Sequence, residues 1–248
     1  MRENEVKALW NRYFSHKDNA GIFYIGNDDA CDYFIDMVDN GEIHWADAPD
    51  VIVIKDNDVL LIEHFEFSCY KANKTKGNSI RKELTEFWRD FVKISSENSS
   101  ATVMKRINSK SSSEDYIKNV KSAFEKHYRK IERYKKNAFE NFGVSSNAKI
   151  KIMFLLEDVS PEGWIIYNRK SKDKSFCLST LAKDRRFLEF FAEHCNVDYV
   201  MCCAHHGSIY ETWLIDRVNI DENLESAYDE LECKAFSAID YLFISKEI

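Results

Sequence analysis

The chain has 248 residues, of which 44% are hydrophobic and 31% charged, and its formal net charge is −7. This composition excludes a disordered chain, because it supplies enough apolar side chains for a core. Seven cysteines at irregular spacing, with no Cys-x-x-Cys pair, exclude a zinc ribbon and a disulfide framework. We expect one soluble, cytoplasmic α/β domain, since no signal-peptide pattern and no apolar run near the ~20 residues of a membrane span occur.

Apolar periodicity predicts alternating helices and strands along the chain. Helices are expected at 3–16, 28–40, 78–94, 114–142 and 181–194, and strands at 50–54, 59–67, 149–156, 164–167, 198–204 and 238–244. The strands at 50–54 and 59–67 flank a turn and therefore predict a β-hairpin. Ser112 and Asp115 have the spacing of a capping box. The alternation favours an α/β fold with a mixed central sheet flanked by helices, in which 164–167 pairs beside 149–156.

Charge is distributed unevenly along the chain. Residues 69–136 contain 18 Lys and Arg against 8 Asp and Glu, a net charge of +10, which leaves −17 for the remainder. Two interpretations stay open for this stretch: a surface that binds the nucleic-acid backbone, or a solvated helix face. Residues 95–145, which overlap this basic stretch and extend beyond it, are expected to form a basic helical insertion with flexible, serine-rich flanks.

The hairpin carries the most site-like residues. With the turn centred near Asn57, Asp50 and Glu63 lie at the same end of the two strands. A carboxylate at the end of an apolar strand is costly to bury unless a partner satisfies it. Mg²⁺ or Mn²⁺ bound by Asp50 and Glu63 would do so, and so would a structural ion pair between Glu63 and an arginine.

Side-chain alternation along the second strand separates the neighbours of Glu63. Glu63 and Phe65 are expected on one face, and His64 and Glu66 on the other. His64 and Glu66 are candidate catalytic groups, and the alternative is a surface salt-bridged pair.

The stretch Pro49-Asp50, with Glu63 thirteen positions later and a helix from Asn78, resembles the PD-(D/E)XK nuclease superfamily. The resemblance covers about residues 28–95. It implies a restriction-endonuclease-like core, metal binding by Asp50 and Glu63, and hydrolysis of DNA or RNA phosphodiesters. It also implies a place in restriction, repair or phage defence.

The lysine that this family places two residues after the glutamate is Phe65 here. Three explanations stay open. A cation from Lys71, Arg81 or Lys82 contacts the phosphate, or Glu66 takes part through a bulge, or the site is catalytically inactive. In the last case the chain is a non-catalytic interaction protein on a nuclease-like fold, and the helix at 114–142 provides a surface for a protein partner or a second copy.

A further pair of candidates, His205 and His206, follows the buried strand at 198–204. In α/β sheets, ligands gather beyond the carboxyl ends of strands. Either histidine could bind zinc with the neighbouring cysteines or act as a general base. The alternative is a role in the core or in capping a helix.

Overall fold

The computed structural model describes most of the chain. The described residues are 7, 22–25, 28–70, 79–97, 100–106, 112–160, 164–167, 174–177, 181–206, 209–227, 234–235 and 241–247. The helix expected at 3–16 lies outside these ranges except for residue 7. Within the described ranges, no helix is both long enough and apolar enough to cross a membrane.

Helices and strands alternate along the described chain, which confirms the predicted α/β class. The helices are α1 (Asp28–Asn40), α2 (Ser79–Glu97), α3 (Ser113–Tyr128), α4 (Ile131–Asn141), α5 (Arg185–Glu193) and α6 (Ile220–Ser226). The strands are β1 (Ile22–Ile25), β2 (Glu42–Trp45), β3 (Val51–Lys55), β4 (Asp58–Phe67), β5 (Ser100–Arg106), β6 (Lys149–Asp158), β7 (Trp164–Tyr167), β8 (Lys174–Cys177), β9 (Tyr199–His206), β10 (Ile209–Asp216), β11 (Lys234–Ala235) and β12 (Tyr241–Glu247).

Seven strands form the central mixed sheet, in the order β1-β10-β9-β6-β4-β3-β2. The strands β2, β3 and β4 pair antiparallel in chain order, whereas β4, β6 and β9 run parallel to one another. The carboxyl ends of these three parallel strands therefore lie at the same end of the sheet. Helices pack on both faces of this sheet, as the sequence predicts.

Each face of the sheet is covered by a separate apolar layer. On one face, α3, α4 and α5 pack against alternate residues of β3, β4 and β6, and the buried side chains include Ile52, Leu61, Phe154, Phe124, Tyr134 and Phe187. On the other face α1 packs, and the buried side chains include Val53, Ile62, Met153, Met201, Phe34 and Met37. We call these the α3 face and the α1 face.

The long helix expected at 114–142 is two helices, α3 and α4, which are separated at Arg129 and Lys130. The predicted cap is confirmed: Ser112 Oγ accepts the N–H of Asp115 at 3.0 Å. The apolar stripe keeps its three-to-four spacing through the break, and neither residue there is Gly or Pro. The sequence pattern therefore cannot distinguish one helix from two.

Two smaller sheets differ from the sequence expectation. β7 pairs with β8 and β11 instead of lying beside β6. The stretch 95–145 is not helical throughout, because α2 extends to Glu97 and β5 follows it. β5 pairs antiparallel with β12, for example Val103 with Ile244. Its strand partner lies far away in the chain, so the local serine content could not reveal it.

Candidate active site

The predicted β3–β4 hairpin is confirmed, and it sets the position of both candidate carboxylates. Its register pairs Val51 with Ile62, so that Asp50 and Glu63 are the next residues outward along the two strands. The carbonyl of Asp50 accepts the N–H of Ala46 at 3.0 Å, which holds Asp50 just ahead of β3. The two acids therefore lie at the end of the hairpin opposite its turn.

Asp50 is fixed against the neighbouring strand. The residue is 2% exposed, and its Oδ2 accepts the backbone N–H of His64 at 2.8 Å. A hydrogen bond from a main-chain N–H to an ionised carboxylate is charge-assisted and therefore strong. The Asp50 carboxylate thus contacts the backbone of the residue that directly follows Glu63.

Glu63 is satisfied by a histidine that the sequence interpretation did not include. Its Oε1 lies 2.7 Å from Nδ1 of His127, near the end of α3. The Glu63 and His127 side chains are 2% and 9% exposed. The same Nδ1 lies 3.3 Å from the hydroxyl of Tyr134 on α4. One partner of Glu63 is therefore an imidazole from the helical layer, and the arginine pairing considered from the sequence stays a prediction.

Phe65, at the position of the motif lysine, faces the same layer as Glu63. Its ring stacks on the imidazole of His127, with centroids 4.6 Å apart and an interplanar angle of 10°. It also packs edge-on against Phe154 of β6. The predicted alternation along β4 is confirmed, and Phe65 packs against the imidazole that contacts Glu63.

His64 faces the opposite side of the sheet. Its Nε2 lies 3.3 Å from Oε2 of Glu157 on β6, and the two side chains are 11% and 7% exposed. The surface pair of His64 with Glu66 is therefore wrong, because the near carboxylate comes from the neighbouring parallel strand. Glu66 is exposed, and it lies across from Glu157 in the β4–β6 register. The structure thus separates His64 and Glu66 from the Asp50 and Glu63 carboxylates.

The cysteines next to His205 are deeply buried. Burial raises the pKa of the Cys202 thiol, and the nearby Asp158 and Glu211 carboxylates raise it further. Burial likewise raises the pKa of Cys203, followed by the influence of Cys202 and Glu157. Without a bound metal both groups are therefore thiols at neutral pH, which disfavours a thiolate nucleophile here. The side chains of His205 and His206 lie outside the described part of the structure, so their predicted roles stand as predictions.

The three cations expected at the phosphate differ in how far they are described. Lys71 lies outside the described residues, and Arg81 lies in α2 with its side chain outside the description. Lys82 is exposed on α2, with its Nζ 3.9 Å from Glu86 one turn away. A phosphate contact by these residues stays a prediction.

The donor set at the hairpin suits a hard divalent cation. Asp50 and Glu63 supply carboxylate oxygens, which Mg²⁺ prefers, and this ion normally keeps several water ligands. Across the side chains that the structure describes, no group of three or more His, Cys, Asp or Glu is arranged to hold a metal ion. If Mg²⁺ or Mn²⁺ binds here, as the resemblance implies, Asp50 and Glu63 would supply the carboxylate ligands, with water or backbone oxygens as the others.

Comparison of the chain with known proteins gives no match to a family model, to a curated protein or to a solved structure.

Proposed function

We propose that this chain is a divalent-metal-dependent phosphodiesterase that cleaves DNA or RNA. The proposal depends on one observation: two buried carboxylates, Asp50 and Glu63, at the same end of an antiparallel hairpin. Two carboxylates that share one end of a hairpin would repel each other if both were ionised and close, and a divalent cation between them would offset that cost. The resemblance of the hairpin to PD-(D/E)XK nucleases supports the same reading, and β6 lies beside β4, where the resemblance implies a fourth strand.

A bound Mg²⁺ or Mn²⁺ ion would supply Lewis acidity toward a phosphoryl oxygen and a more acidic bound water. The chain contributes the ligands and their orientation. Asp50 and Glu63 would hold the ion, and the His64 N–H holds the Asp50 carboxylate against β4. A fixed carboxylate loses little conformational entropy when the ion binds, which favours binding.

The substrate proposal is supported by cations on the helical layer. Exposed basic residues on α3, on α4 and between the two helices are Lys118, Lys126, Arg129, Arg133 and Lys136. Arg129 lies 3.9 Å from Glu125 of α3, and Lys136 lies 3.6 Å from Glu140 of α4. Such exposed pairs are weak, so phosphates compete for the cations readily. Lys71, Arg81 and Lys82 remain the proposed contacts to the scissile phosphate.

A cytoplasmic role in restriction, repair or phage defence is part of the proposal. The four cysteines with described side chains are free thiols, of which Cys69, Cys202 and Cys203 are buried and Cys195 is exposed. Free buried thiols are typical of proteins that work in a reducing compartment.

A second candidate function, a non-catalytic interaction protein on the same fold, is favoured by a specific observation. Phe65 stands where the motif has lysine and stacks on His127, and His127 in turn contacts Glu63. Glu63 then serves as a structural acid, and the surface of α3 and α4 serves a protein partner or a second copy of the chain.

The deciding experiment compares Asp50→Asn and Glu63→Gln with the parent protein. Cleavage of DNA and RNA and thermal melts are measured with and without Mg²⁺ or Mn²⁺. We expect metal to raise the melting temperature of the parent by mass action, and both variants to lose this shift and all cleavage while staying folded. The amides keep the side-chain volume, and each removes one anionic ligand.

Glu125→Gln is the matched control, because Glu125 also contacts a histidine, at 2.9 Å from His194, outside the hairpin. It should retain cleavage and the metal shift. A parent protein that neither cleaves DNA or RNA nor gains stability from metal would reject the nuclease in favour of the interaction protein.

A further inference from the structure

The Glu63–His127 contact connects a strand of the sheet to the helical layer. Nδ1 of His127 lies 2.7 Å from Glu63 Oε1, with both side chains more than nine-tenths buried. In the ionised form that would bind a cation, Glu63 can only accept a hydrogen bond, so Nδ1 of His127 would carry the hydrogen and donate it to Glu63. The contact therefore holds one oxygen of Glu63 in place. Because a carboxylate group is rigid, this also limits where the other oxygen can point.

The imidazole itself has little freedom to turn. Phe65 stacks against one side of its ring at 4.6 Å, and the Tyr134 hydroxyl lies 3.3 Å from Nδ1. One turn earlier on α3, Phe124 is fully buried in the apolar layer and anchors the helix. A donor that is held by packing on several sides can hold its acceptor in one rotamer.

The geometry points to His127 as the positioning residue of the metal site, where it holds Glu63 in the orientation that binds the ion beside Asp50. This inference rests on the proposed function. His127 projects from α3, and its imidazole stacks on Phe65 and contacts Glu63. In the PD-(D/E)XK motif, the residue at the position of Phe65 is a lysine. Here the imidazole of His127, which comes from a helix, lies on that side of the glutamate. Phe65 is then a support for the imidazole.

Partners of metal ligands usually affect affinity strongly, because they set the orientation of the ligand; losing one typically costs 10–100-fold in metal affinity or activity. We therefore expect His127→Leu to weaken Mn²⁺ binding about 10–100-fold. His127→Asn places an amide N–H near the position of Nδ1 and should restore affinity to within about 3-fold, since the donor is what matters. Raising Mn²⁺ above the new Kd should recover much of the lost cleavage in His127→Leu.

Mn²⁺ binding is measured by titration against the paramagnetic resonance signal of free Mn²⁺, on full-length protein whose folding is checked by circular dichroism. This readout does not depend on cleavage. His194→Leu is the matched control: His194 is buried, with its Nε2 2.9 Å from Glu125, away from the hairpin. It should lower stability and leave the Kd for Mn²⁺ unchanged.

The outcomes separate this inference from the proposed function. If Asp50→Asn abolishes Mn²⁺ binding while His127→Leu binds Mn²⁺ as tightly as the parent or more tightly, His127 is not a positioning residue, and the nuclease proposal stands. If the parent binds no Mn²⁺ and His127→Leu only lowers the melting temperature, both fall, and the pair is structural. Weaker binding in His127→Leu, restored in His127→Asn, supports the inference.

Discussion

The neighbouring residues Glu63 and His64 of β4 contact ionisable side chains on opposite faces of the sheet, and the two contacts are built differently. On the α3 face, the strand supplies the acid, Glu63, and a helix supplies the imidazole of His127 at 2.7 Å. On the α1 face, the strand supplies the imidazole, His64, and the next strand supplies the acid, Glu157, at 3.3 Å. The first contact joins two layers of the fold, and the second joins two strands within one layer.

This difference has an energetic consequence. β4 and β6 are already aligned by a parallel ladder that pairs residues from Asp58 to Phe67 with those from Lys149 to Asp158. A side-chain contact between them adds little constraint. The helix that carries His127 has no such ladder to the sheet, so the polar contact adds to packing in fixing its position. We therefore expect the α3-face contact to matter more for stability.

The largest effect should come from removing the acceptor on the α3 face. Glu63→Leu leaves the His127 imidazole buried beside an apolar side chain, and we expect a loss of roughly 3 kcal/mol in the free energy of unfolding. Glu63→Gln keeps an acceptor oxygen and should cost much less. Urea denaturation of both variants measures this, and equal stability of Glu63→Leu and the parent would remove the basis of the comparison.

A second effect, a loss of stability at alkaline pH, is expected from the adjacent residues Cys202 and Cys203. Their side chains lie on the α3 face and the α1 face respectively. Burial raises the pKa of both thiols in the folded state. Above about pH 8.5 an exposed thiol ionises. The unfolded chain then holds fewer protons than the folded one, so stability falls as pH rises, by about 1.4 kcal/mol per pH unit for each thiol.

Single variants isolate the contribution of each face. Cys202→Ala removes the thiol on the α3 face, and Cys203→Ala the one on the α1 face. Urea denaturation from pH 8 to 10 should show a shallower decline in each variant than in the parent, and the shallowest in the double variant. Parallel curves for parent and variants would mean that the folded thiols ionise as easily as the unfolded ones.

The sequence predicts those parts of the fold that depend on local pattern. The hairpin follows from two apolar runs around a polar turn, and its register places Asp50 beside Glu63 without any tertiary information. The cap at Ser112 is likewise local. The break between α3 and α4 could not be predicted, because the stripe from Val120 to Ala138 continues through it.

The partners in the site could not be predicted, because layer packing decides them. His127 is 64 positions from Glu63, and their contact depends on where α3 docks. One signal was present: His127 is a polar residue within the apolar stripe of its helix, at a position that faces the core. Glu157 gives a similar signal at the end of the apolar run of β6. Polar residues at core positions are thus the best sequence indication of such pairs.

The smallest effect is expected on the α1 face. Glu157→Gln keeps the side-chain volume and leaves the β4–β6 ladder intact, so we expect a change below about 1 kcal/mol in the free energy of unfolding. A single variant does not isolate the contact, because Glu157 also lies across from Glu66 in the register.

Double-mutant cycles isolate each contact, with His64→Ala and Glu157→Ala on the α1 face, and His127→Ala and Glu63→Ala on the α3 face. Coupling on the α1 face should be below about 0.5 kcal/mol, and on the α3 face above about 1 kcal/mol. Equal couplings would contradict the comparison, because a contact within one layer would then stabilise the fold as much as a contact between layers.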